Sequence, residues 1–509
     1  MSKKMLVESD PHETRVAILE HDRLTELYIE RHHDQGVVGN IYKGRVNRVL
    51  PGMQAAFVNI GLDRDAFLYV SEVLQTPDPL LAEEMGDEED SEGDGEHGSE
   101  PEILAPPPPE KSIDQLLRQG QEVVVQVLKD ALPNKGARVS TQITLPGRSL
   151  VLLPNVPHLG VSRRIEDEEH RESIRQMLEE LQPPGCGLIA RTAGADASRE
   201  ELASDLDYLQ RLWQRLSARA EQVSAPTLVH RDLDLALRVV RDELSEEFSV
   251  VWVDGEETYE RLVEFVDQIQ PSSVQRVRLH EQDKGLFERF NLHQEIEAAL
   301  GTKVWLKSGG HIVIHPTEAL VAIDVNTGRY VGRHNLEDTV LTTNLEAVQE
   351  IVRQVRLRNL GGIIVLDLID MVEEEHREQV FAALERELAK DRAKNKVLEI
   401  SEFGLVQLTR KRSRPSLERI LTRPCPYCRG TGRTKSLTTL VLELRRQLLR
   451  HRGRYVEREI LLRVHPEVAQ ALQRNEGYIL DELERELRAA ILIQSDPELH
   501  RERFDISEV

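Results

Sequence analysis

Residues 318–326 read Glu-Ala-Leu-Val-Ala-Ile-Asp-Val-Asn, and residues 361–371 read Gly-Gly-Ile-Ile-Val-Leu-Asp-Leu-Ile-Asp-Met. Each is an apolar, β-branched run with an aspartate near its end, the composition of a buried strand. Between them Leu341, Leu345, Val348, Val352 and Val355 recur at i, i+4, i+7, i+11 and i+14, the period of one helix face lying on a sheet. A strand, helix, strand unit usually returns its second strand parallel to the first and often beside it, with neighbouring strands about 4.8 Å apart. Asp324 and Asp367 then fall at the carboxyl ends of neighbouring strands, where open parallel sheets place their ligands. Charge on a buried strand is costly unless paired or metal-bound. The two acids are therefore expected either to share a cation or to be spent as strand-end caps or arginine partners.

Mg²⁺ is the fitting ion, because it is hard, keeps several waters and needs only one or two carboxylates to be held against a phosphate. Asn326 completes the candidate catalytic set with Asp324 and Asp367. Asp370, three residues past Asp367, points to the other face if the strand continues. His311 and His315 have the period of one strand face and read as structural.

A chain of 509 residues is too long for one core and implies roughly three or more domains. It has no basic leader followed by an apolar run and no stretch of eighteen apolar residues, and its cysteines are only Cys186, Cys425 and Cys428. A soluble protein of a reducing, cytoplasmic compartment is expected. The net charge of −23 opposes nucleic-acid binding, yet Glu83 to Glu102 holds eleven acids and no Lys or Arg, and without it the balance is −12. Basic residues cluster at Arg410, Lys411, Arg412 and Arg414 and at Arg445, Arg446, Arg450 and Arg452. A basic groove on an acidic protein stays open, although the run at 410–414 is by default a solvated turn.

The stretch 76–112, rich in Glu, Asp, Gly and Pro, reads as a disordered loop inside a domain. Strand-like runs flank it at 41–49, 54–60, 66–70 and 122–128, which suggests a small β-barrel. Ser198 and Glu201 make a capping box ahead of a helix carrying Leu202, Leu206, Leu209, Trp213 and Leu216. An α+β region ends near residue 222, a mixed segment fills 235–300, and a last αβ region follows Gly432 with a stripe of Leu437, Leu440, Val441, Leu444 and Leu448.

Further motifs carry chemistry. Cys425-Pro-Tyr-Cys428, with Gly430 and Gly432 behind it, is half of a zinc knuckle. Structural zinc needs four ligands, so either His451 contributes or a second copy of the chain supplies two thiolates. A redox dithiol is disfavoured for want of a surrounding thioredoxin-like βαβ pattern. Lys43, Phe57 and Phe67 lie on short strands of the expected barrel, an arrangement that binds single strands by stacking and charge; the competing role for the rings is to fill the barrel core. Arg191 and Thr192 end an apolar run just before Gly194, offering a guanidinium fork and a hydroxyl to a phosphate, where otherwise the arginine is simply solvated.

Taken together, 39–45 (Gly-Asn-Ile-Tyr-Lys-Gly-Arg), 50–57 (Leu-Pro-Gly-Met-Gln-Ala-Ala-Phe), 134–137, 191–193, 322–328, 356–362, 367–371 and the cysteine pair resemble the ribonuclease E/G family over nearly the whole chain. The resemblance implies a multidomain α+β fold. Its parts are a degenerate RNase H-like domain in two pieces (1–38 and 237–300), an inserted OB-fold of S-one type (39–141) and a 5′-sensor domain (142–236). A DNase I-like catalytic α/β domain (301–421), a zinc link (422–436) and a small αβ oligomerisation domain (437–509) follow. It also implies that Asp324 and Asp367 hold catalytic Mg²⁺ with Asn326 orienting the site. Gly147, Val151, Arg163, Arg191 and Thr192 would take a 5′-monophosphate, Phe57, Phe67 and Lys135 would line the RNA channel, and Cys425 and Cys428 would share Zn²⁺ between two protomers. The chain ends at Val509 without the long scaffold arm of some members, and its acidic loop is longer than the family's.

The expected activity is Mg²⁺-dependent endonucleolytic cleavage of single-stranded, AU-rich RNA, ribosomal precursors and messengers, leaving 5′-phosphate and 3′-hydroxyl ends. The alternatives are a non-catalytic RNA-binding assembly protein, an enzyme like the family's scaffold-bearing members but lacking their arm, and a phosphodiesterase for DNA or small nucleotides.

Overall fold

The computed structural model describes residues 3–73, 112–131, 135–163, 165, 167–282, 284–327, 336–398, 400–401, 404–412, 414–450, 453, 459–475 and 477–508. The expected acidic loop, apart from Ser112, lies outside them, as does His451. The chain divides into two compact units, residues 1–420 and 421–509.

Strands β1 (Lys3–Ser9), β2 (Glu13–Glu20) and β3 (Arg23–Arg31) form an antiparallel meander. The barrel follows, built from β4 (Ile41–Leu50), β5 (Ala55–Asn59), β6 (Ala66–Tyr69), β7 (Glu122–Lys129) and β8 (Arg138–Ser140). β4 pairs with β7 through its first half and with β5 through its second, and β6 runs parallel to β8, so the sheet closes. Gly44 sits in β4 where a Cβ would lie 2.6 Å from Val58, and only a glycine lets the two walls approach.

Next come β9 (Leu145–Pro146), β10 (Leu150–Leu153), β11 (Leu159–Val161), helix α1 (Glu168–Leu181), β12 (Gly187–Ala190) and α2 (Arg199–Gln222). Ser198 and Glu201 form the expected capping box, and Leu202, Leu206, Leu209 and Leu216 enter the core. β13 (Thr227–His230) returns to pair with residues 41–43 of β4. After α3 (Leu235–Glu243), β14 (Phe248–Asp254), α4 (Glu256–Ile269) and β15 (Val277–Leu279), β14 lies parallel beside β1 and both helices pack on the combined sheet.

The unit ends in a six-stranded sheet of β16 (Lys303–Trp305), β17 (His311–Pro316), β18 (Leu320–Asn326), α5 (Leu336–Leu357), β19 (Gly362–Asp367), α6 (Glu374–Leu388), β20 (Asn395–Val397) and β21 (Leu405–Arg410). Its order is β16-β17-β18-β19-β21-β20, and the crossover through α5 brings β19 parallel to β18. Val348, Val352 and Val355 of α5 and Val380 and Leu384 of α6 meet Ile323, Val325, Ile364 and Leu366 in one core. Both helices therefore cover the same face. The expectation of buried strands holds for one face only: Ala322, Asp324, Ile363 and Asp367 alternate onto an exposed face.

In the second unit α7 (Leu437–Arg450), β22 (Ile460–Val464), α8 (Gly477–Leu487), β23 (Ile491–Ser495) and β24 (Phe504–Glu508) enclose their own core, with Leu440, Val441, Leu444 and Leu448 inside. β23 is parallel to β22, so a βαβ unit is present, contrary to the expectation for this region.

Candidate functional site: two aspartates on an open sheet face

Asp324 stands directly opposite Asp367 in the parallel β18–β19 register. Strand alternation puts both on the uncovered face, because Ile323 and Leu366, one residue before each, are driven into the core beneath the helices. Among the described residues neither carboxylate has an ion pair, so no described arginine takes either as its partner. Asn326 Nδ2 donates to Asp324 Oδ2 at 2.6 Å and fixes that carboxylate. Among the described residues no three His, Cys, Asp or Glu side chains converge. The donor set is two carboxylates beside an amide, which suits a hard dication that completes its shell with water and substrate oxygens.

The strand ends at Asp367, so its alternation does not reach Asp370, which is exposed in the segment that follows. That turn is held from below. Asn344, fully buried on α5, donates from Nδ2 to the Ile369 carbonyl at 2.9 Å and accepts the Ile369 N–H at 3.1 Å. Sequence reasoning passed over this residue; its signal was one amide at a core-facing position of an apolar stripe.

His311 is paired with Asn326 across β17 and β18, and burial together with Lys303 pushes its imidazole below the usual range.

The four-stranded sheet gathers part of the expected phosphate pocket. Arg191 donates to the Gly147 carbonyl at 2.6 Å and pairs with Asp242 at 2.8 Å. Thr192 shares a 2.9 Å hydroxyl contact with Ser162, next to Arg163. A Cβ on Gly147 would meet the Asp205 carboxylate at 2.6 Å. That carboxylate accepts three N–H groups, from Arg148, Ser149 and Leu150, and burial still raises its pKa. Val151 is different: its side chain is buried with Leu153, Val156 and Ile189, leaving only its backbone for a ligand.

On the barrel, Phe57 and Phe67 are cross-strand partners with rings 5.0 Å apart at 87°, and Tyr69 continues the row at 4.9 Å from Phe67. The interior is filled by Ala56, Val58, Ala66 and Leu68, so the phenylalanines are outside, half-exposed. Core filling is thus excluded for them. Arg138 lies over Tyr69, and Lys135 is exposed. Lys43 does not join them: its ammonium binds the Val223 carbonyl at 2.9 Å and Glu122 at 3.1 Å, because β13 and the chain before it close over that end of β4.

The three arginines of the basic run at 410–414 are held by partners within the protein. Arg410 is buried against Asp391, Asn359 and the Leu360 carbonyl, Arg412 donates to the Gly361 carbonyl, and Arg414 stacks 3.6 Å from the Tyr28 ring centroid. Arg445 is likewise engaged, with Glu482 and Glu486.

In the second unit Gly430 and Gly432 adopt positive φ, and the Gly432 N–H reaches the Cys428 sulfur at 3.3 Å. Backbone N–H groups of Cys428 and Tyr427 hold the Cys425 thiol below its ordinary pKa. Tyr427 stacks on His500 at 4.2 Å, fastening the loop to the unit. A βαβ unit follows the cysteines, so a redox dithiol is not disfavoured by its surroundings, and only the knuckle geometry favours zinc over it.

A family model described as Ribonuclease E/G family matches residues 144–413, and one described as RNase E/G, Thioredoxin-like domain matches residues 424–509. Ribonuclease G of Escherichia coli (strain K12) is 42% identical over 506 residues, 99% of each chain. Ribonuclease G of Haemophilus influenzae is 38% identical over 504 residues, again 99% of each. Ribonuclease E of Escherichia coli (strain K12) is 36% identical over 448 residues, covering 87% of this chain and 40% of that one. Barrel, open-faced acidic sheet and cysteine loop thus occur in a chain matched nearly end to end, and it belongs to the ribonuclease E/G family.

Proposed function

We propose that the chain is a Mg²⁺-dependent endoribonuclease that cuts single-stranded, AU-rich RNA to 5′-phosphate and 3′-hydroxyl ends, faster when the substrate carries a 5′-monophosphate, in ribosomal RNA 5′-end maturation and mRNA decay. The observation that carries it is the in-register pair Asp324 and Asp367, exposed and without a basic partner among the described residues. Both would hold Mg²⁺, which supplies Lewis-acid polarisation of a phosphate and a more acidic water. Asn326 keeps the Asp324 carboxylate turned to the open face, and the uncovered sheet admits an extended strand. The row Phe57, Phe67 and Tyr69 offers stacking surfaces for bases, with Lys135 for the backbone. Gly147, Arg163, Arg191 and Thr192 are proposed to receive the 5′-phosphate, which would compete with Asp242 for the Arg191 guanidinium. Cys425 and Cys428 are proposed as half of a zinc site shared by two protomers, the N–H to sulfur bond and positive-φ glycines supporting thiolate ligation. The barrel connectivity supports the OB-fold assignment, and the sheet joining β1 to β14 supports the RNase H-like one. No helix among the described residues is long and apolar enough to cross a membrane, in keeping with the proposed cytoplasmic location.

The test is cleavage of a labelled 5′-monophosphorylated oligoribonucleotide. Asp324→Asn and Asp367→Asn are each expected to slow it by on the order of 10³-fold, since a lost metal ligand forfeits several kcal/mol, while binding changes less than about threefold. Cutting at the wild-type rate by either variant defeats the site. Wild-type protein that binds but never cuts with Mg²⁺ present would favour the assembly-protein reading, and equal cutting of DNA would favour the general phosphodiesterase.

A further inference from the structure

The open sheet face carries an aromatic that the site described above does not use. Trp305, on edge strand β16, leaves 65% of its surface exposed, unusual for an indole with so much apolar area. It is not isolated. The Lys303 ammonium lies 4.1 Å from its ring centroid, and the His311 ring is 5.2 Å away at 53°.

Register ties this cluster to the acids. Trp305 is opposite His311, and His311 is opposite Asn326, whose amide binds Asp324. One row over, Lys303 faces Val313, which faces Asp324. The indole, the ammonium and the carboxylate therefore share one face, with β16 two strands from β18, roughly 10 Å by ordinary strand spacing. That is the scale on which neighbouring nucleotides follow one another.

We propose that Trp305, flanked by His311 and Lys303, is a stacking platform that seats one base of the RNA beside the scissile phosphate. The inference rests on the reading of Asp324 and Asp367 as the cleavage centre. A base has a π-face whatever its identity, so an exposed indole accepts it without sequence readout. The cation over the ring is a weak contact at an exposed site. A base that displaces it leaves the lysine free to meet the adjoining phosphate, so the positive charge stays useful. A single-stranded ribonucleotide is the occupant that fits, because apolar ring, mobile cation and acid pair serve its base, its backbone and its cleavage in turn. Trp305 acts by positioning and touches no reacting atom.

In the full-length protein, Trp305→Ala should raise KM for a 5′-monophosphorylated single-stranded RNA about tenfold with kcat within about twofold, and Trp305→Phe should recover most of the loss. Binding is read separately on the non-cleaving Asp324→Asn background. The chain has three tryptophans, Trp213, Trp252 and Trp305, and RNA should quench an emission component that disappears when Trp305→Phe is added. An unchanged KM together with quenching that survives Trp305→Phe overturns the platform. A changed sedimentation coefficient of Trp305→Ala with unchanged KM also overturns it and makes the indole a protein contact. Normal cleavage by Asp324→Asn would instead remove the cleavage centre, an outcome the quenching experiment does not depend on.

Discussion

Two largely buried glutamates on different elements come within reach of one tyrosine hydroxyl, and they hold their protons very differently. Tyr28 Oη donates to Glu26 at 2.6 Å and lies 3.4 Å from Glu243. Burial opposes the charge on Glu26, yet Arg356 and Arg414 outweigh it and take its pKa down to about 2. For Glu243 burial wins, reinforced by the charge on Glu26, and pushes its pKa up to about 7 despite the Arg392 guanidinium at 3.1 Å. A carboxyl raised above its unfolded value stabilises the fold fully below about pH 4.5 and loses that contribution as pH climbs through about 7. Glu243→Gln lacks this dependence. Relative to the parent it should gain stability between pH 4.5 and 7.5, by as much as about 3 kcal/mol. Thermal melts of both proteins across that range check it, and parallel curves would show that Glu243 ionises normally. None of this was readable from the sequence, since Glu26 and Glu243 are distant in the chain. The same holds for Arg410, Arg412 and Arg414, which read as a basic run because their carboxylate, carbonyl and ring partners come from other segments.

At the level of elements, helix α5 does two jobs. Its apolar stripe glues β18 and β19 into a sheet, and Asn344 within that stripe ties down the turn after Asp367. Replacing it by leucine leaves the Ile369 N–H and carbonyl buried without partners, a cost of about 2–4 kcal/mol for the pair. Asn344→Leu should therefore lower the unfolding free energy by that amount. It should also raise the Mg²⁺ concentration for half-maximal cleavage several-fold while leaving discrimination between 5′-monophosphate and 5′-hydroxyl substrates intact. Unaltered metal dependence in a destabilised variant would confine Asn344 to structure. The stripe, the parallel return and the pairing of the two acids were legible because helix period and crossover handedness are local rules. The open face was harder to see. Ile363 and Val365 share it with Asp367, and their β-branched side chains masked the alternation that Ala322, Asp324 and Asn326 display on the neighbouring strand.

Across the whole molecule, charge and assembly become the issues. The net −23 puts an RNA-binding surface on an acidic protein, which works only where local side chains set the field, as Lys303 does beside the exposed Trp305 ring. Under the proposed zinc link, Cys425 and Cys428 would supply two of the four ligands zinc requires. If a second chain completes the set, Cys425→Ser with Cys428→Ser should halve the mass seen by sedimentation equilibrium and remove zinc present at about one ion per two chains. A variant that keeps both its mass and its metal would rule out the shared knuckle. The length of the match to ribonuclease G was foreshadowed by motifs spread over the chain, whereas the βαβ unit behind the cysteines was not, its helices lacking a long continuous period. One last implication concerns Asp324 and Asp367. Their separation is inherited from peptide hydrogen bonding, not chosen by side-chain length, so loops and surface aromatics around them are free to diverge. Recognition can drift among descendants of such a scaffold while the acidic pair stays calibrated.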